Sequence, residues 1–528
     1  MMEQRSPIVS GFRPARVLAL RGSFDAVSAA PIRSSQTATI PAAVAIIIAL
    51  GLVLRLYQMG AASLWSDEAF SAYWIHRPLS YLWTDGLIIE TTPPLYYTLL
   101  KLWAVFAGDS DAALRLFSTA ASTATIPLVF LLGAELATPA AGLVAALLFA
   151  VAPMQIYYAQ EARVYAMLPL AFALALLGLL RFLRAAKQGG TQADHTALWL
   201  YAAGATLLVY SHPTSVFTVA ALASCGGLLL LRTPRERVAL LPFVVANAAV
   251  ALLSVPELRA IAAQTGRHDL NWIQPPDLIT LLDLGNYLVT APSIPLRFRL
   301  GCMLSLATLA LLAALIPRLR LHRTAAVLLL GVPATFLAAT IGLSYVSPFL
   351  IPRIVIWIGV PLSLLAGMAL VSPAPRWQRG AFALTYGACI LVGLYGVYVH
   401  TLVEKEDWRG LMADLLPRLG AEDVVAIGPD TSILPVLRYA DGAFANNGRQ
   451  LLRWEPKPRP ADLYTPDHIV PPVATTTEGL AQEAQRGRPV WVLLRASDWA
   501  AHAEAALAAS RPPAEVDRSH PAVVRLRL

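Results

Sequence analysis

Charged side chains are scarce in this 528-residue chain: 14% of residues are Asp, Glu, Lys or Arg, while 57% are hydrophobic. Soluble domains carry roughly 25% charge, so this deficit excludes an ordinary soluble globule and leaves a polytopic membrane protein. A mean hydropathy of +0.58 agrees. Cysteine is scarcer still. Cys225, Cys302 and Cys389 lie far apart in apolar runs, which excludes a disulfide framework and any cysteine-based metal motif. The first ~35 residues lack the long apolar core of a cleaved signal. Their Arg5, Arg13, Arg16, Arg21 and Arg33 mark residues 1–37 as a cytoplasmic, disordered leader. Acids are nearly missing from the apolar runs, Glu135 being the main exception, and no internal repeat is visible. Both absences weigh against a solute or lipid transporter, the class-level alternative, because transporters seat coupling charges in broken helices of repeated halves.

What is present is a series of apolar runs. A spanning helix needs about 20 apolar residues, and by that measure the chain supplies about eleven spans. They cover residues 38–57, 113–136, 140–156, 164–183, 198–210, 215–231, 238–255, 300–316, 325–343, 354–371 and 381–399. With the amino terminus inside, the internal turns carry Arg181, Arg184 and Lys187, then Arg232, Arg235 and Arg237, then Arg318, Arg320 and Arg323, then Arg376 and Arg379. The turn at Thr138 and Pro139 carries no charge. Basic residues gather on the cytoplasmic side of membrane proteins, so the net charge of +8 reports orientation and not nucleic-acid binding.

The expected fold is mainly α: a polytopic helix bundle occupying 38–400, with a large first outer loop at 58–112 and a small α/β extracytoplasmic domain at 401–528. In the loop, the apolar piece 95–106 is short for a span and reads as a helix lying in the interface. In the tail, a helix at 408–419 and apolar β-type runs at 423–427, 490–494 and 523–528 suggest one α/β layer, and the proline-rich stretch 454–472 reads as loop.

Adjacent carboxylates Asp67 and Glu68 occur in Leu64-Trp-Ser-Asp-Glu-Ala-Phe70, just past the first span. Ionised groups at a bilayer face are costly unless they meet water, a cation or a substrate; the pair is either a polar loop or a site. The next outer turn holds Glu161 and Arg163 among tyrosines, where they either neutralise each other or serve chemistry. Arg353 starts a late span and either clamps a phosphate or snorkels to a headgroup. His212 and His268 weigh little as metal ligands, since a lone helix-end histidine is more often structural. Acids beside arginines on one outer face suit a lipid-linked phosphate substrate: a carboxylate takes an acceptor proton while cations stabilise the departing phosphate.

These residues carry a resemblance. Leu64-Trp-Ser-Asp-Glu-Ala-Phe70, Thr92-Pro-Pro-Leu-Tyr-Tyr97, Ala113-Leu-Arg-Leu-Phe117, Tyr157-Tyr-Ala-Gln-Glu-Ala-Arg-Val-Tyr165 and the Pro352-Arg353 pair occur in the order found in bacterial GT-C membrane glycosyltransferases. The chain resembles the superfamily of the protein O-mannosyltransferases and the lipid A aminoarabinose transferase over residues 38–410, with Glu406-Asp-Trp-Arg409 a weaker echo at the start of the soluble domain. The resemblance implies an undecaprenyl- or related polyprenyl-phosphate sugar donor, membrane lipids as surroundings, and inverting transfer to an extracytoplasmic acceptor. It also implies an inner-membrane location with site and tail facing the periplasm. Carried over by position, Asp67 is the general base or acceptor-binding acid, Glu68 its neighbour and Glu161 the second acid. Arg163, Arg353 and Arg115 are phosphate-side residues, and Tyr158 and Tyr165 are substrate contacts from the second-loop motif.

One departure concerns a metal. Many relatives carry His or Glu immediately before the Pro-Pro pair, where this chain has Thr92, with Glu90 close by. A divalent metal, with Asp67, Glu161, Glu90 and His268 as candidate ligands, therefore stays open. A third class is an assembly protein in envelope polysaccharide export, which would tolerate loss of Asp67 and Glu161. The sugar and the acceptor, whether lipid, glycan or protein, have no readable code in these loops.

Overall fold

The computed structural model describes residues 34–188, 195–265, 273–291, 299–401, 405–440, 442–444, 450–454, 473–496 and 498–528. The expected leader through residue 33, His268 and the stretch 455–472 lie outside the described residues.

Among the described residues, seven helices are long and apolar enough to cross a bilayer: Thr39–Leu56, Asp111–Leu136, Val164–Gln188, Gly301–Leu319, Arg323–Ser344, Pro352–Val371 and Arg376–His400. Two bent pairs, Pro139–Val151 with Pro153–Ala159 and Leu240–Leu253 with Val255–Gln264, raise that number to nine. The runs read at 198–210 and 215–231 form the shorter apolar helices His195–Val209 and Ser215–Leu230. Proline causes both bends of 54°. Ala152, before Pro153, takes an extended backbone (φ −63°, ψ 119°), as the ring of the next residue demands, and Pro256 at the start of the second piece has no N–H to continue the ladder. A further apolar helix, Leu278–Val289, is capped by Asp277, which accepts from the Thr280 N–H at 2.7 Å.

Without a hydrophobic drive between helices inside lipid, close packing depends on small residues. Val164–Gln188 and His195–Val209 meet through Gly178 and Gly204: a Cβ on Gly178 would come within 2.3 Å of the Tyr201 backbone nitrogen, and one on Gly204 within 2.4 Å of that of Ala175. Large apolar side chains that remain exposed, among them Ile46, Val238, Leu241, Leu384 and Leu391, belong to other apolar helices of the bundle or their ends and present an apolar surface to lipid. The Glu135 carboxylate is held by Arg181 at 2.7 Å and Arg184 at 2.5 Å, so the acid that weighed toward transport is paired.

In the loop 58–112, Pro94–Ala107 is a 14-residue helix whose Leu102, Val105 and Phe106 are exposed. The C-terminal part builds one sheet from β1 (Val424–Gly428), β2 (Gln450–Trp454), β3 (Val473–Thr475), β4 (Val490–Arg495), β5 (Glu515–Asp517) and β6 (Val523–Arg527). Its order is β3-β2-β1-β4-β6-β5. β1, β2, β3 and β4 pair in parallel, and β6 pairs antiparallel with β4 and β5. Helices Trp408–Leu415 and Thr477–Gln485 accompany the sheet. β1 is buried at every position, which explains its uninterrupted apolar run. β2, β3 and β5 escaped the sequence reading: two have three residues, and β2 mixes Gln450 and Arg453 with apolar residues.

Candidate active site

Three segments distant in the chain converge. The first is the helix Ser66–Trp74, whose first turn contains Asp67 and Glu68. Carboxylates there complement the positive end of the helix dipole. The second is the turn 160–163 between the bent piece Pro153–Ala159 and the span beginning at Val164. The third is the turn Pro352–Ile358 that opens a late span.

Glu68 and Asp67 are neighbours in sequence but not in environment. Glu68 is fully buried. Arg115 donates from Nε to its Oε1 at 2.7 Å and from Nη2 to its Oε2 at 2.6 Å, and the Ala162 N–H donates to Oε1 at 2.8 Å. Burial works to raise the Glu68 carboxyl, but the Arg115 guanidinium and Lys405 outweigh it and hold the group down at about 2. Arg115 spends its remaining donors on the carbonyls of Met59, Ala62 and Ser63, at 2.8, 2.7 and 2.9 Å. The pair thereby fixes the loop that leads into Asp67.

Asp67, by contrast, keeps 30% of its side chain exposed and meets Arg353 Nη1 at 3.3 Å. Arg353 lies over the Tyr165 ring, 5.4 Å from its centroid, and its Nε is buried without a partner. It lines a cavity of about 220 Å³ together with Trp65, Tyr157, Tyr158, Glu161 and Tyr165. Tyr158 packs edge-on against both Tyr157 and Tyr165 with ring centroids 5.1 Å apart. The 54° bend at Pro153 belongs to the helix piece that carries Tyr157 and Tyr158.

Glu161 is buried on the same cavity wall, with Lys405 Nζ 3.3 Å from its Oε1. Its carboxyl is raised, chiefly by burial, against the pull of Lys405 and with the push of Glu68 and Asp67. Lys405 also stands 3.9 Å from Glu68 and over the Tyr157 ring at 5.5 Å. Sequence reasoning missed this lysine, whose only signal was its place beside Glu406-Asp-Trp-Arg409.

Arg163 turns away from that cavity. It donates to the Asp67 carbonyl at 3.1 Å, to Tyr97 Oη at 3.3 Å and to Thr92 Oγ1 at 3.1 Å, so it ties the Asp67 backbone to the Pro-Pro segment. Burial, with Arg353 and Arg163 nearby, pushes His212 down to about 3, leaving a neutral ring that hydrogen-bonds Thr214 at 2.9 Å.

The sheet layer reaches this site. Glu406 takes the Ser66 hydroxyl at 3.2 Å, the Trp408 indole N–H at 2.5 Å and Arg495 Nε at 2.7 Å. Tyr439 accepts the Leu64 N–H at 2.7 Å and donates to Asp111 at 2.5 Å. The echo at Glu406 therefore marks a clamp on the first-loop motif.

Among the described residues, the candidate metal ligands Asp67, Glu161 and Glu90 do not gather. Asp67 and Glu161 each face a cation, and Glu90 accepts the Thr92 N–H at 3.0 Å elsewhere in the loop. Among the described residues, the group of ligating side chains close enough to share an ion is Asp414, Asp517 and His520 in the sheet layer, where Arg525 already pairs with both acids. With Asp67 and Glu161 each taken by a cation, the described side chains do not supply a divalent ion's donor set at the cavity.

No family model and no curated protein matches this sequence. By fold, the chain is similar to ArnT from Cupriavidus metallidurans in the apo state, with a TM-score of 0.61 at 13% identity over 93% of this chain and 98% of that one. It is likewise similar to the same protein bound to undecaprenyl phosphate, with a TM-score of 0.56 at 14% identity over 92% and 97% of the two chains. The fold of these two structures is shared over nearly the full length of both chains.

Proposed function

We propose that this chain is a membrane glycosyltransferase that moves a sugar from a polyprenyl-phosphate carrier to an acceptor hydroxyl, with inversion. The observation that carries the reading is the Asp67–Arg353 pair, 3.3 Å apart beside an aromatic cavity that also holds Glu161. A partly exposed carboxylate and a guanidinium at one site suit the two ends of a displacement. Asp67 takes the acceptor proton as the hydroxyl oxygen bonds to the anomeric carbon. The carbon–oxygen bond to phosphate breaks, and the electron pair leaves with the polyprenyl phosphate, whose charge Arg353 stabilises in a water-poor site. In the resting structure Arg353 neutralises Asp67, and an arriving phosphate competes for that guanidinium and frees the carboxylate.

Glu68, Arg115 and Arg163 act as positioning groups, because they hold the loop and backbone that aim Asp67. Glu161, whose carboxyl burial raises, donates a hydrogen bond to a sugar or phosphate oxygen in its protonated form, and Tyr158 and Tyr165 wall the sugar. That the ArnT structure carries undecaprenyl phosphate supports this donor class. The basic turns support an inner-membrane setting with site, loop 58–112 and the domain 401–528 on the periplasmic face.

The test is transfer of radiolabelled sugar from a panel of synthetic polyprenyl-phosphate donors to envelope acceptors, in membranes containing wild type or Asp67→Asn. Transfer by wild type that disappears in the variant, with protein level unchanged, supports the reading. Full transfer by Asp67→Asn would falsify the assigned role of Asp67, and no transfer from any donor by wild type would overturn the class.

A further inference from the structure

A second cavity lies at the other end of the bundle from the candidate active site. It measures about 520 Å³ and is lined by Leu183 and Leu230 on the apolar side and by Arg184, Lys187, Arg232 and His322 on the polar side. The span Val164–Gln188 connects the two places, with Tyr165 at one end and Lys187 at the other. At 1.5 Å per residue that separation is roughly 33 Å, about the thickness of a bilayer core. The cavity therefore opens at the opposite membrane face.

Its charges are unbalanced. Arg184 is engaged by Glu135, and the Glu236 carboxylate that also lines the cavity takes the Thr233 hydroxyl at 2.9 Å. Lys187 and Arg232 are exposed and have no carboxylate partner within salt-bridge distance among the described residues. Burial first, and then Arg184 and Lys187, depress His322 on the same wall. Flanking the cavity-lining Arg232 in the chain, Leu228 and Leu231 are exposed, so an apolar edge adjoins that guanidinium at the end of the helix Ser215–Leu230.

We propose that this cavity binds an anionic phospholipid, with the phosphate between Lys187 and Arg232 and an acyl chain along Leu228 and Leu231. Two unpaired cations over apolar walls at the end of a span suit a molecule that is charged at its head and apolar below. A soluble phosphate would use the cations but leave the leucine edge bare. The site is independent of the transfer reaction and of the donor carrier, which engages the other face.

The experiment uses the purified full chain in neutral detergent. Phosphatidylglycerol, phosphatidylcholine and inorganic phosphate are each titrated against wild type and the double variant Lys187→Gln/Arg232→Gln, with bound lipid read by native mass spectrometry. Wild type should hold phosphatidylglycerol in preference to phosphatidylcholine, and the double variant should bind phosphatidylglycerol roughly thirtyfold more weakly. Both substituted side chains are exposed, so the unfolding midpoint in lipid-free detergent should not change. Equal phosphatidylglycerol affinity in both proteins overturns the proposal. So does displacement of the lipid by inorganic phosphate at similar concentration, which would make the site one for a soluble anion.

Discussion

Arg115 grips both carboxylate oxygens of Glu68, at 2.7 and 2.6 Å, and with the same guanidinium holds three backbone carbonyls of the loop 59–63. Glu68 is fully buried and Arg115 is 1% exposed. Removing one member leaves a buried charge without its partner, which costs about 3–5 kcal/mol. Arg115→Met should therefore lower the unfolding midpoint steeply in detergent, while Arg353→Met, at a partly exposed site, should change it little. Similar midpoints for the two variants would show that the Glu68 pair does not hold the loop.

The same pair sets a pH dependence. Glu68 is lowered from its ordinary 4.5 to about 2 in the fold, so its contribution is present above pH 4.5 and is lost as pH falls toward 2. The difference between 4.5 and 2 corresponds to about 3 kcal/mol. Stability measured between pH 5 and pH 2 should fall less in Glu68→Gln than in wild type; parallel curves would count against the assignment.

Glu161 has the opposite sign. Its carboxyl is raised by burial, so its contribution is complete below pH 4.5 and is lost as pH rises through the folded value. Lys405 opposes that rise. Lys405→Met should push the Glu161 carboxyl further up and move the alkaline limb of the pH–activity profile to higher pH. A profile that stays in place would remove Lys405 from the electrostatics of the site.

Arg353→Lys keeps a charge but loses the planar fork over Tyr165. It should raise the KM for the polyprenyl-phosphate donor and lower kcat, with Arg353→Gln worse on both counts and the acceptor KM nearly unchanged. Steady-state kinetics with each substrate varied separately checks this. An effect confined to the acceptor would reassign the guanidinium.

Glu406 joins Ser66, Trp408 and Arg495. Glu406→Ala should speed hydrogen exchange at residues 63–67 and reduce transfer, without disturbing exchange in the span Val164–Gln188. Unchanged exchange at 63–67 would mean that the sheet layer does not brace the motif.

Much of this was legible in the chain. The apolar runs are long enough to announce most spans, and the apolar segments of β1, β4 and the start of β6 announce buried strands. The bends at Pro153 and Pro256 were less visible, because a proline tells where a helix can break but not by how much. The first-loop acids, the turn at Glu161 and Arg353 were all found as local patterns of charge in apolar surroundings.

Their division of labour was not legible. Adjacent residues on a helix point about 100° apart, so the tandem Asp67-Glu68 necessarily offers two environments, but nothing in the string says which is which. The fold decides it by bringing Arg115 from a later helix against Glu68, Arg353 from a distant span against Asp67, and Lys405 from beyond the last span against Glu161. Sequence by itself determined a membrane bundle with acids and arginines at one face, since bilayer thickness and the cost of buried charge act on short segments. Only tertiary structure decided which acid is locked and which meets the cavity, because that depends on cations supplied from positions 47, 286 and 244 residues away along the chain, from Glu68 to Arg115, Asp67 to Arg353 and Glu161 to Lys405.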